Sequence, residues 1–250
     1  MWALRRRLIY SFFFIVFLAS GSFLFFREQL LVNPTCRDGL QNGGETGVDC
    51  GGGCGLICSS DRVPVETMWA TTFLNDDGSY DVGVFLRNKN SGSSPKGLSL
   101  RIVVKGEADK ILHEAKIETA VPFASEFPIV MQRLFLTEVP KKVIVEKEEG
   151  YSYLLKEKPV TPVSTEASFD KGGKKSVYVT VRNTSKKDLF RFPVKVVLYD
   201  EKRTPIGVAE SYVDILLKGE AKNIEIVLGK KYEVEPTAVR AFTVFDPYAF

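Results

Sequence analysis

Residues 81–88 read DVGVFLRN, and residues 176–183 read SVYVTVRN. In the first run Val82, Val84 and Leu86 alternate with Asp81, Gly83, Phe85 and Arg87. In the second, Val177, Val179 and Val181 alternate with Tyr178, Thr180 and Arg182. Alternation of this kind places apolar side chains on one face of a β-strand. Both runs end in Arg-Asn, at Asn88 and Asn183, and they lie 95 positions apart.

The correspondence extends outward from this pair. Leu98, Leu100, Ile102 and Val104 form one strand face, which Phe192, Val194, Val196 and Leu198 repeat at an offset of 94. Glu138-Val139-Pro140, followed by Val143-Ile144-Val145, is mirrored by Val234-Glu235-Pro236. A period near 95 with six or seven short strands per unit fits a duplicated immunoglobulin-like sandwich. Asp76-Asp77-Gly78 supplies a turn between two such runs. The boundary falls at Lys158-Pro159-Val160-Thr161-Pro162, whose two prolines stiffen a short linker. The expected fold class is therefore all-β. Two tandem immunoglobulin-like β-sandwiches, residues 62–157 and 158–250, follow one transmembrane α-helix and a short disulfide-rich segment.

The second unit resembles the FxLYD-type immunoglobulin-like domains of bacterial envelope proteins. The residues carrying this are Val181-Arg182-Asn183-Thr184-Ser185, Val196-Val197-Leu198-Tyr199-Asp200, Ile206-Gly207 and Leu217-Lys218-Gly219-Glu220. Asp200 is suited to begin a turn by accepting its own backbone N–H groups. The first unit departs here, with Lys105-Gly106 in place of Tyr-Asp. The resemblance implies an adaptor without chemistry of its own.

The chain of 250 residues is 44% hydrophobic and 26% charged, with a formal net charge of +3. All of that surplus sits on Arg5, Arg6 and Arg7, so residues 27–250 are electrically balanced. Such a balance argues against nucleic acid as a partner. Residues 1–7 form a cytoplasmic N-terminus, and residues 8–26, LIYSFFFIVFLASGSFLFF, carry no charge. As a helix that run spans roughly 30 Å, the hydrocarbon thickness of a bilayer. The three arginines orient it with its N-terminus in the cytoplasm. Ala19-Ser20-Gly21 offers the small residues of a cleaved signal peptide, but Phe23-Leu24-Phe25-Phe26 continues the apolar run beyond it. The expectation is a single-pass protein of the cell membrane, with everything after residue 26 extracytoplasmic.

Residues 27–61 form a Cys/Gly-rich neck. Its four cysteines, Cys36, Cys50, Cys54 and Cys58, fit two disulfides in an oxidising compartment, with three pairings open. Zinc is the competing reading, disfavoured by spacings of thirteen, three and three residues between them. Asp38, Asn42, Glu45 and Asp49 recur every three or four residues. Their hard oxygens suit Ca²⁺; alternatively they form Asx turns facing water. No other cofactor is expected. The segment resembles a short module of bacterial envelope proteins, C-x-D/N-G-x-x-N-x-x-E-T-x-x-D-C-G-G-x-C. It matches at Cys36, Asp38, Gly39, Asn42, Glu45, Thr46, Asp49, Cys50, Gly51, Gly52 and Cys54. That resemblance implies an exterior location next to a membrane anchor and no activity.

Catalytic parts are scarce. His113 is the only histidine, among Ile111, Ala115 and Ile117 on an inward-looking strand face. No phosphate-binding glycine loop joins a strand to a helix, and Glu148-Glu149 reads as a solvated turn. Ser91-Gly92-Ser93-Ser94-Pro95 reads as a solvated loop, and Phe245, Tyr248 and Phe250 as a cap on the second sandwich. Asn183-Thr184-Ser185 is formally a glycosylation acceptor. The functional expectation is a non-enzymatic scaffold or adaptor of the envelope, held in the lipid bilayer through residues 8–26. An envelope protein or polysaccharide is its expected partner. The alternative is a carbohydrate- or peptide-binding module with structural Ca²⁺ in the neck.

Overall fold

The computed structural model describes residues 2–31, 34–90, 93–154, 161–170, 176–230, 232 and 236–247. Lys158, Pro159, Val160, Ser91, Gly92, Val234, Glu235, Tyr248 and Phe250 therefore lie outside the described residues. The chain divides into two compact units, Met1–Cys54 and Gly55–Phe250.

In the first unit a helix, α1, runs from Trp2 to Leu31. Its segment Arg5–Phe23 is long and apolar enough to cross a membrane, and none of it is buried. Leu8, Phe12, Phe13, Ile15 and Phe17 stand exposed around it. A helix apolar on all sides needs an apolar solvent or partner.

The second unit is built from antiparallel strands. Its first half holds β1 (Glu66–Leu74), β2 (Tyr80–Arg87), β3 (Ser93–Pro95), β4 (Leu98–Lys105), β5 (Ile111–Thr119), β6 (Glu126–Leu134), β7 (Lys142–Glu149) and β8 (Ser152–Leu154). The second half holds β9 (Val163–Phe169), β10 (Ser176–Asn183), β11 (Leu189–Tyr199), β12 (Pro205–Leu216), β13 (Ala221–Val227) and β14 (Ala238–Thr243). The first half pairs them as β1-β2-β6 and β5-β4-β7, and the second as β9-β10-β13 and β12-β11-β14. Leaving aside the short pair β3-β8, the six strands of each half have the same order. The 95-residue period is a repeat of topology as well as of pattern.

Each half closes around its own core. Val82, Val84 and Leu86 of β2 meet Leu100, Ile102 and Val104 of β4. Val177, Val179 and Val181 of β10 meet Phe192, Val194 and Val196 of β11 in the equivalent place. The two runs that opened the sequence are thus central strands of their sheets, each facing an apolar strand of the opposite sheet. Both terminal asparagines are buried hubs. The Asn88 amide donates to the Pro122 carbonyl and to Ser94 Oγ, at 3.0 and 3.3 Å. The Asn183 amide donates to the carbonyls of Lys187, Leu216 and Leu217, at 2.8 to 3.1 Å.

A third cluster joins the halves. Phe85, Val197, Tyr199 and Val208 are buried together, with Trp69, Phe73, Val130 and Phe242 packed against them. These side chains come from β1-β2-β6 on one side and β12-β11-β14 on the other. The body is therefore four sheets deep, in the order β5-β4-β7, β1-β2-β6, β12-β11-β14 and β9-β10-β13. In the middle layers strands are buried on both faces, so β2 is buried from Asp81 through Leu86 and β11 from Val194 through Tyr199.

Two readings of the sequence change here. Ser93, Ser94 and Pro95 are not a solvated loop: they form β3, paired with β8 and buried. Ser94 Oγ donates to the Val121 carbonyl at 2.7 Å and accepts from Asn88, which removes the hydroxyl from water. Asn183 is 2% exposed and its amide nitrogen is fully engaged, so the folded chain does not present it for glycosylation.

Candidate functional site

The carboxylates of the neck bond the backbone of their own loop. Asp38 Oδ2 accepts from the Thr35 N–H and the Asn42 amide, at 3.0 and 3.1 Å, while Oδ1 accepts from the Leu40 N–H at 2.9 Å. These bonds, the one from Thr35 foremost, hold its carboxyl below the ordinary range. Both oxygens of Asp49 accept from the Gly39 N–H at 3.0 Å. Glu45 Oε2 accepts from the Asn42 and Asp49 N–H groups, at 3.4 and 3.1 Å. Gly52 sits at φ +55, where an added Cβ would lie 1.9 Å from the Gly44 carbonyl oxygen, so the chain can double back there only as glycine. Asp38, Glu45 and Asp49, expected as Ca²⁺ ligands, brace the loop in this way, and Asn42 joins them by donating its amide to Asp38 while its Oδ1 is buried without a protein partner. Among the described residues, one group of three ligand-type side chains converges within 4.8 Å: Cys36, Glu45 and Cys54.

The sulfurs of that group are not available to a metal. Cys36 and Cys54 form a disulfide with Cα atoms 5.6 Å apart. Cys50 and Cys58 are also disulfide-bonded, and no described cysteine is free. The expectation of an oxidised cluster holds, and the zinc alternative lacks thiolates.

In the body, the junction between the halves is the most elaborate arrangement. The Trp69 and Phe85 rings stack at 5.3 Å with 4° between planes, and Phe242 meets Phe85 edge-on at 5.5 Å. Gly83 allows this approach, because a Cβ there would lie 2.9 Å from both Trp69 and Val208. At one rim Glu126 accepts from Arg87 at 2.6 Å and from Arg240 at 3.1 Å, while the Arg240 guanidinium lies 4.9 Å from the Phe242 ring centre. The bond from Arg87, with help from Arg240, holds the Glu126 carboxyl below its ordinary range. Further in, Lys195 and Glu210 pair at 3.5 Å, and burial pulls the Lys195 ammonium down. Buried Asp81 accepts from the Arg133 N–H at 2.8 Å, and burial pushes its carboxyl up. Tyr232 is pushed up to about 12, by burial first and then by Asp81.

Beside this junction lies a cleft of about 230 Å³, lined by Pro122, Phe123, Glu126, Thr161, Phe242 and Phe245 among others. Clefts between packed modules are common places for ligands. Phe245 packs on Phe192 with ring centres 5.2 Å apart, so it belongs to the second core as well as to the cleft wall. A separate feature is an uncovered stretch of β11 and β12. Phe190, Tyr212 and Ile215 are 65%, 58% and 48% exposed, on strands whose other ends form the junction.

His113 is half-buried in β5 opposite Val104. Its neighbour Ile111 is exposed, while Ile117 packs on the first core. Arg5, Arg6 and Arg7 lie in the first turns of α1. Sequence reasoning passed over Trp69, Phe85, Val197 and Phe242 as a joining surface. The available signal was the unbroken apolar run at 82–86 and again at 196–199, the mark of a strand covered on both faces. No known family model matches the chain, and no curated protein matches it.

Proposed function

We propose that this chain is a membrane-anchored, extracytoplasmic scaffold or adaptor of the cell envelope, without catalytic activity. In this reading α1 holds the protein in the bilayer with its arginines in the cytoplasm. Two immunoglobulin-like sandwiches then form the presenting body. The observation that carries the reading is the junction, where Phe85 is 4% exposed and Val197 is fully buried between the halves. A spacer or presenting module gains from such packing, because faces held at fixed distance pay less ordering entropy on binding a partner. Phe190, Tyr212 and Ile215 supply an apolar face for that partner.

The test is cross-linking in native membranes, followed by pull-down of the full chain. A partner captured by the wild type and lost from a Phe190→Ser, Ile215→Ser double variant that melts normally is the expected result. Capture unaffected by that variant would remove the apolar face from the proposal. Release of the intact chain by alkaline carbonate would remove the anchor.

The cleft favours a second reading, as a carbohydrate- or peptide-binding module. Its wall combines the rings of Phe123 and Phe242 with the carboxylate of Glu126, a pairing of apolar surface and polar atoms suited to sugars. Titration with soluble cell-wall fragments, watched through the amide signals of residues 123–126 and 241–246, decides between the two.

A further inference from the structure

The carboxylate of Glu45 has a contact that bracing the loop does not require. While Oε2 holds two backbone N–H groups, Oε1 lies 3.0 Å from Cys54 Sγ. That sulfur is in a disulfide and has no proton to donate, so the contact sets a negative group directly against the bridge. The two ends of the bridge differ sharply in access. Cys36 is exposed, whereas Cys54 is 2% exposed.

This asymmetry dictates how a thiol can open the bridge. A thiolate RS⁻ reaches Cys36 Sγ, forming an S–S bond to it while the Cys36–Cys54 bond breaks. The electron pair departs on Cys54 Sγ, which then takes a proton from water. A second thiolate attacks the mixed disulfide, giving RSSR and the Cys36 thiolate. Two thiols are oxidised and the protein disulfide is reduced. The rate of the first step depends on how well the leaving sulfur bears negative charge.

We propose that Glu45 protects the Cys36–Cys54 bridge against thiol attack, because its carboxylate opposes the charge that develops on Cys54 as it leaves. At this separation and in a partly desolvated site the repulsion is strong. Glu45 acts on the reacting sulfur electrostatically, while the burial of Cys54 confines the attack to Cys36. The bridge closes a segment rich in glycine with little core of its own, so it is one of the cross-links that hold the neck.

The test uses the oxidised full chain in lipid nanodiscs, challenged with 2-mercaptoethanol. Acid quenching, alkylation and peptide mass mapping read each cysteine separately. Glu45→Gln keeps the side chain's shape and removes the charge. The expected result is release of Cys54 about tenfold faster than in the wild type, with the mixed disulfide still found on Cys36. An unchanged rate overturns the proposal. So does a faster rate with mixed disulfides on both sulfurs, since that pattern means the loop has opened and exposed Cys54.

Discussion

β2 and β10 occupy the same place in the two halves of the body, and one face of each reads alike: Val82, Val84 and Leu86 against Val177, Val179 and Val181. Their opposite faces differ. Asp81, Gly83, Phe85 and Arg87 of β2 stand where β10 has Ser176, Tyr178, Thr180 and Arg182. On β10 that face looks outward, and Thr180 bonds Asn223 of the neighbouring strand at 2.6 Å. On β2 it is the bed of the aromatic junction. The same inversion separates β4 from β11. Arg101 of β4 pairs with Glu114 and Glu146 at the surface, whereas Val197 and Tyr199 of β11 are buried against the first half. The inward faces, which build each core, read alike in the two halves, and the outward faces differ according to which layer each sheet occupies.

That contrast can be broken experimentally, beginning where the effect is greatest. Phe85→Ala empties the centre of the junction and is expected to cost about 3–5 kcal/mol in denaturant unfolding of the full chain. Thr180→Ala, at the matching position, is expected to stay within about 0.5 kcal/mol. Equal losses at the two positions would mean that the halves do not pack as described. The asparagines test the opposite claim, that the strands end alike. Asn88→Ala removes the donor to the Pro122 carbonyl and Asn183→Ala the donor to the carbonyls of Lys187, Leu216 and Leu217, and each is expected to cost about 1–3 kcal/mol. A loss at only one would show that the duplicated ends have different roles.

Smaller effects refine the edge of the junction. Glu126→Gln weakens the contacts to Arg87 and Arg240 at a partly exposed rim, so its cost is expected at about 0–1 kcal/mol, shrinking further in high salt. Asp81 gives the subtlest signal, in pH dependence. Its carboxyl is raised by burial in the folded chain, so the folded state retains a proton that the unfolded state has already lost. Stability from this group is therefore greatest below the ordinary carboxylate range and falls as pH rises through the raised folded value. Asp81→Asn should flatten that part of the stability profile, and an unaltered profile would remove Asp81 from the account. No such dependence is expected from Ser176, its counterpart in β10.

Much of this architecture is legible in the sequence. The alternation at 82–86 and 177–181, the Arg-Asn endings and the 94-to-95-residue offsets lead to two sandwiches. What they do not convey is which outer face another sheet will cover. Phe85 and Gly83 alternate with valines as solvent-facing residues also do, and the surface that buries them comes from Val197, Val208 and Phe242, more than a hundred residues later. Ser93 and Ser94 misled for a related reason, since small polar residues look like a loop until Asn88 and Val121 are found bonded to Ser94. In the neck, the spacing of Asp38, Asn42, Glu45 and Asp49 is compatible with a cation and with turns alike. The structure adds the direction of the carboxylate oxygens, which meet the N–H groups of Thr35, Leu40, Gly39, Asn42 and Asp49.

The junction also uses different surfaces of the two copies, β1-β2-β6 from one and β12-β11-β14 from the other. A contact of that kind between repeated units is polar in the directional sense: nothing in its geometry tells it to stop, and a further copy could add at either end. The outer faces of this stack differ from the junction: Arg101, Glu114 and Glu146 lie on one, and Thr180, Asn223 and Glu225 on the other. The body is thus a stack of two repeats joined by unlike faces, so each repeat contributes a different surface to the same contact.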